Sequence, residues 1–170
     1  MLRYNKIRKM DISDGPGVRV TIFLQGCAFH CPQCFNPETH DFKGGKEFTD
    51  ETLNQLLQLC GADYVKGLSI LGGEPLHPQN IDGALQIAKA FKQKFPRKTV
   101  WLWTGYLYEN VVDKQIFNYL DVLVDGLYDQ SLANPMLQFR GSSNQRLIDI
   151  PTTLKTQQVV LWHDSTKEGL

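Results

Sequence analysis

The stretch Val18-Arg-Val-Thr-Ile-Phe-Leu-Gln-Gly-Cys-Ala-Phe-His-Cys-Pro-Gln-Cys34 decides how the rest of the chain is read. Val18 to Leu24 is a short run of β-branched and aromatic residues closed by Gly26, which is the pattern of a strand. Cys27, Cys31 and Cys34 then crowd into eight positions directly after it. They fall on the loop at the strand's C-terminal end, where active sites of parallel α/β folds gather.

Working outward, Leu68 to Leu71 repeats the strand pattern and is closed by Gly72-Gly73. Between the two runs, Thr49 and Asp50 can cap a helix whose Leu53, Leu56, Leu57 and Cys60 recur at three- and four-residue steps and which ends at Gly61. Asn80 to Phe95 shows the same spacing through Ile81, Ala84, Leu85, Ala88 and Phe91, with Pro96 stopping it. Val100 to Trp103 is a third strand, Asp113 to Leu120 a short helix, and Val122 to Val124 a buried strand. This order predicts parallel pairing through right-handed crossovers, hence an α/β layer or barrel. A complete eight-unit barrel takes about 250 residues, so this chain of 170 residues supplies only part of one, open on one side. Residues 1–164 are expected to form one domain. Leu127 to Ser143 is irregular, and Ser165 to Leu170 is a polar tail expected to be disordered.

Lysine plus arginine total 18 and aspartate plus glutamate total 18, giving a net charge of zero. Nothing in that balance suggests a nucleic acid or a membrane surface as partner. Met1 to Met10 is mixed and basic, and no stretch approaches the roughly 18 apolar residues that span a bilayer. A soluble, cytoplasmic protein is expected. Four cysteines in the chain are far below a disulfide scaffold, and a reducing cytosol leaves them free to act as thiolates. Cys60, on an apolar helical face, reads as a core residue.

Three thiols are fewer than the four irons of a cubane cluster need as outer ligands, so one iron would stay open. An open position separates a catalytic metal centre from a structural one. Two alternatives stand beside this: structural zinc on the three cysteines with His30, His40 or Cys60, and a redox pair within Cys31-x-x-Cys34. At the second strand's end, Gly72-Gly73-Glu74-Pro75 offers main chain without Cβ atoms, which a ligand can approach closely. Its carbonyls and the Glu74 carboxylate would accept hydrogen bonds from an ammonium group, although Gly-Gly before Pro is also ordinary turn chemistry.

Cys-x3-Cys-x2-Cys with Gly-Gly-Glu-Pro one βα unit later resembles the signature of the radical S-adenosylmethionine superfamily. Asp14-Gly-Pro-Gly-Val-Arg19 and Gln25-Gly26 resemble its glycyl-radical activating branch. Trp103-Thr-Gly-Tyr106, Asp121-Val-Leu-Val-Asp-Gly126 and Arg140-Gly-Ser-Ser-Asn-Gln-Arg-Leu-Ile-Asp149 are similar to the activating proteins of anaerobic ribonucleotide reductase. These blocks span roughly Asp11 to Asp149. One position departs from the superfamily pattern: Gln33 stands where an aromatic residue usually precedes the last cysteine and packs near adenine. Phe35 is the candidate for the missing apolar surface.

The resemblance implies an incomplete parallel β/α barrel in which Cys27, Cys31 and Cys34 hold a 4Fe-4S cluster and serve as its catalytic ligands. It implies S-adenosyl-L-methionine on the fourth iron, with Gln33, Cys34, Phe35, Gly72, Gly73 and Glu74 as contacts. It further implies a 5′-deoxyadenosyl radical that takes a hydrogen atom from a glycine of the large anaerobic ribonucleotide reductase subunit. A low-potential electron donor such as flavodoxin or ferredoxin is required, and a homodimer is left open. Asp14 could bind the partner loop's amides or simply form a turn, and Asp125 could face the site. The rivals are a small-molecule radical enzyme of the carboxy-deazaguanine synthase kind and a zinc-bound interaction module.

Overall fold

A computed structural model describes residues 1–165 of the protein. The chain builds one mixed seven-stranded sheet: β1 (Arg3–Asp11), β2 (Val18–Leu24), β3 (Lys46–Glu47), β4 (Val65–Gly72), β5 (Thr99–Trp103), β6 (Val122–Asp125) and β7 (Arg146–Asp149). Their spatial order is β3-β1-β2-β4-β5-β6-β7, and the sheet does not close. The inner strands β2, β4, β5 and β6 run parallel, as expected from the alternation of strands and helices. The flanks correct the all-parallel expectation, because β1 pairs antiparallel with β2 and β3, and β7 antiparallel with β6.

Alternation along the inner strands gives the sheet two different faces. Val20, Ile22, Leu24, Leu68, Ile70, Val100 and Leu102 pack into the main core with helices α1 (Asp50–Cys60) and α2 (Ile81–Lys94). Helix α1 begins with a reciprocal Thr49–Thr52 capping box and buries Leu56, Leu57 and Cys60, so Cys60 is a core residue as read. Helix α2 buries Ala84, Ile87, Ala88 and Phe91. Arg19, on the opposite face, is wholly buried and donates to Ser69 Oγ at 2.8 Å, to Thr99 Oγ1 at 2.9 Å and to the Leu68 carbonyl at 2.9 Å. Its guanidinium therefore ties β2 to β4 and β5 under the site.

Asp113 to Leu120, expected as a short α-helix, holds only a 3₁₀ segment at Gln115–Tyr119, which turns Ile116 and Phe117 into the core. Four elements have no counterpart in the periodicity: the basic strand β1, the two-residue strand β3, strand β7 and helix α3 (Ile150–Thr156). Leu127 to Ser143 is irregular as expected, apart from a 3₁₀ turn at Gln130–Leu132 and a bridge between Ala133 and Ser142. Residues 166–170 of the polar tail lie outside the described residues. No helix among the described residues is long and apolar enough to cross a membrane.

Candidate iron-sulfur site

The loops leaving β2, β4, β5 and β6 open into one cavity of about 770 Å³, ample for a cofactor-sized ligand. Cys27, Cys31, Cys34, Phe35, Gly72, Gly73 and Glu74 all line it. Gln33 does not; it is exposed, with φ of 58°.

The cysteine loop is shaped at both ends. Gln25 Nε2 donates to the carbonyls of Glu38 at 2.9 Å and Asp41 at 2.8 Å, while the amides of Gly26 and Cys27 bond the carbonyls of Thr39 and His40. His30 and Gln33 take left-handed backbone conformations with φ of 48° and 58°, uncommon outside glycine. Those two reversals bring three thiols to one cavity. The Cys34 thiol accepts from the Asn36 amide at 3.4 Å. Burial pushes the Cys27 thiol up, against the amides of Phe29 and His30, which pull it down. Burial also raises Cys31, followed by the charge of Cys34. Such thiols stay neutral until a metal cation compensates the thiolate charge. Three free thiols lining one cavity, with an amide donating to Cys34, suit an iron-sulfur cluster. A single zinc ion asks instead for donors converging on one point. Among the described residues no three His, Cys, Asp or Glu side chains do so, and His30 and His40 meet each other, Nδ1 to Nδ1 at 3.1 Å.

Gly72-Gly73-Glu74 is locked to the start of the cysteine loop. The Gly73 amide donates to the Leu24 carbonyl at 2.9 Å and the Glu74 amide to the Gly26 carbonyl at 2.8 Å. A Cβ on Gly73 would lie 2.4 Å from the Gly26 oxygen, so the close approach for which glycine is needed is made by the chain's own backbone. The Glu74 side chain is 2 % exposed. Its Oε1 accepts from the Leu76 amide at 2.8 Å and Thr104 Oγ1 at 2.7 Å, and its Oε2 from the Gly105 amide at 2.8 Å. Burial nevertheless raises its pKa to about 7. Two lone pairs per oxygen leave one acceptor position on Oε2.

Residues 13–148 match the family described as a 4Fe-4S single cluster domain. The anaerobic ribonucleoside-triphosphate reductase-activating protein of Enterobacteria phage T4 is 38% identical over 146 residues, 86% of this chain and 93% of its own length. The protein of the same name from Escherichia coli K12 is 38% identical over 148 residues, 85% of this chain and 96% of its own length. The chain belongs to this family of activating proteins. The Haemophilus influenzae member, at 36% identity over 149 residues, spans 85% of this chain and 96% of its own.

Within this member of the activating-protein family, several residues matter that periodicity and motif spacing left unassigned. Asn80, at the N-cap of α2, makes no capping bond; its Nδ2 instead donates to the carbonyls of Gln25, Gly26 and Glu74 at 3.1, 3.2 and 3.0 Å. Thr104 and Gly105 hold Glu74 from the end of β5. Asp14 lines the cavity beside Arg8, and burial together with a hydrogen bond to Asp11 raises its carboxyl to about 7. Asp125 does not line the cavity. It is fully buried, accepts the Tyr108 amide at 2.8 Å and pairs with Arg146, whose Nε donates at 3.0 Å. The Arg140 to Asp149 block is therefore partly scaffold, and Asp149 caps α3 by accepting from the Thr152 amide at 3.0 Å.

Proposed function

We propose that this protein uses S-adenosyl-L-methionine and a 4Fe-4S cluster on Cys27, Cys31 and Cys34 to install a glycyl radical on anaerobic ribonucleoside-triphosphate reductase. The observation that carries the proposal is that the three thiols and the Gly-Gly-Glu turn, on neighbouring parallel strands, share one cavity. Family membership adds the partner, because the relatives are named for activating that reductase. When bound, the cluster supplies the electron that splits the sulfonium into methionine and a 5′-deoxyadenosyl radical.

The chain's own groups provide binding, orientation and exclusion of water. The three cysteines act as thiolates, leaving one iron without a protein ligand. The remaining acceptor position of Glu74 Oε2 and the nearby Gly72 and Gly73 backbone receive the ammonium of the methionyl end. Phe35 and its neighbour Tyr128, with ring centroids 5.1 Å apart, give the apolar surface that Gln33 does not. We read the open sheet as an incomplete barrel of the radical S-adenosylmethionine type, with residues 1–164 working as one unit in the cytoplasm. Its uncovered side admits a backbone glycine from the reductase's large subunit. A flavodoxin or ferredoxin serves as the low-potential donor.

The test is electron spin resonance of the reductase after anaerobic incubation with reconstituted protein, S-adenosyl-L-methionine and reductant. A glycyl doublet on the reductase is expected. A deoxyadenosine product with no doublet would point instead to a small-molecule enzyme.

A further inference from the structure

Resting on the reading that the three thiols carry the cluster, we propose that Ser142, Asn144 and Gln145 are positioning residues that brace Tyr128 against the cysteine loop, where it shields the cluster from solvent. The three side chains grip the main chain on both sides of Tyr128. Gln145 Nε2 donates to the Gly126 carbonyl at 3.0 Å, Asn144 Nδ2 donates to the Leu127 carbonyl at 2.7 Å, and Ser142 Oγ accepts from the Asp129 amide at 3.1 Å. The gripping segment is itself held in shape, because Gln145 Oε1 accepts from the amides of Gly141 and Ser142 at 2.9 and 3.1 Å. Arg140 closes the same turn by donating to the Gln145 carbonyl.

Tyr128 sits at the centre of this grip and reaches the cysteine loop. Its ring packs on Phe35, the residue after Cys34, with centroids 5.1 Å apart, and both residues line the cavity beside Cys31 and Cys34. Gly141 makes that packing possible: a Cβ there would lie 2.7 Å from Phe35 Cε2 and 3.0 Å from Tyr128 Cδ2. The sequence Arg140-Gly-Ser-Ser-Asn-Gln145 thus supplies a space, three grips and a clamp for one tyrosine distant in sequence from the Phe35 on which it packs. Solvent exposure is one of the protein's levers on an iron-sulfur cluster, and this packing acts on it.

The experiment follows bleaching of the reconstituted 4Fe-4S absorbance by a ferrous-iron chelator, under anaerobic conditions and at equal iron and sulfide content. The full chain is compared with Tyr128→Ala, Tyr128→Phe and Asn144→Ala. Asn144 is exposed, so its replacement leaves no core cavity and decides the matter if Tyr128→Ala does not load. Tyr128→Ala and Asn144→Ala are expected to bleach several-fold faster than the native chain. Tyr128→Phe, which keeps the ring, is expected to match it. Native rates in Asn144→Ala or a loaded Tyr128→Ala, or fast bleaching in Tyr128→Phe, would overturn the brace. A native chain that assembles no cluster would count instead against the proposed function.

Discussion

Glu74 is a carboxyl group placed where water does not reach it, and three hydrogen bonds do not fully offset the loss of hydration. Its pKa rises from 4.5 to about 7, so the folded chain keeps a proton that the unfolded chain releases. The resulting stability is complete below the unfolded value and is lost as pH rises through the folded one. A shift of that size corresponds to on the order of 3 kcal/mol. Asp14, raised to about 7 chiefly by burial, acts in the same window and with the same sign. Urea unfolding of the cluster-free protein should therefore show lower stability at about pH 8 than at about pH 5, with a smaller difference in Glu74→Gln. Equal slopes for the two proteins would show that Glu74 is not the titrating group. At this scale the sequence was informative about the thiols and about Glu74, whose types and spacing carry their chemistry. It did not reveal the partners of Thr104 and Asn80, because these are set by how strand ends meet: Thr104 finds Glu74 at 30 positions' distance, and Asn80 finds Gln25 at 55.

Among the elements, strands β2, β4, β5 and β6 were legible because a parallel strand covered on both faces must be continuously apolar or β-branched. Strand β1 was not, since its Lys6, Arg8 and Lys9 resemble a charged surface segment, and basic residues on such flanking strands discourage unwanted pairing. Strand β7 was hidden inside a polar block that serves several masters at once. Its Arg146 neutralises Asp125, which is wholly buried on β6, and also meets the largely exposed Glu109. Removing one partner of a buried pair costs about 3–5 kcal/mol, whereas an exposed pair contributes about 1 kcal/mol or less. Arg146→Ala should thus destabilise the fold by several kcal/mol in urea, while Glu109→Ala should fall within about 1 kcal/mol of the native chain. Similar losses in the two variants would refute the assignment of Arg146 to Asp125.

For the molecule as a whole, the sheet does not close, and under the proposed function its open side is where the reductase would approach the cavity. Asp14 lies on that cavity's wall, two residues from exposed Ile12. Asp14→Ala should therefore spare formation of 5′-deoxyadenosine while lowering the yield of glycyl radical on the reductase. An unchanged yield would remove Asp14 from the docking role. The antiparallel flanks and the loop brace were beyond the reach of periodicity, because both depend on contacts between segments far apart in the chain. The unclosed sheet agrees with the open-sided fold expected from the order of strands and helices.

The most direct test of the account is anaerobic reconstitution with iron and sulfide, followed by reduction and a 5′-deoxyadenosine assay on the native chain and on Cys31→Ser. The native chain should take up a cubane cluster and cleave S-adenosyl-L-methionine, and Cys31→Ser should do neither at a comparable level. Full cluster assembly and undiminished deoxyadenosine from Cys31→Ser would contradict it.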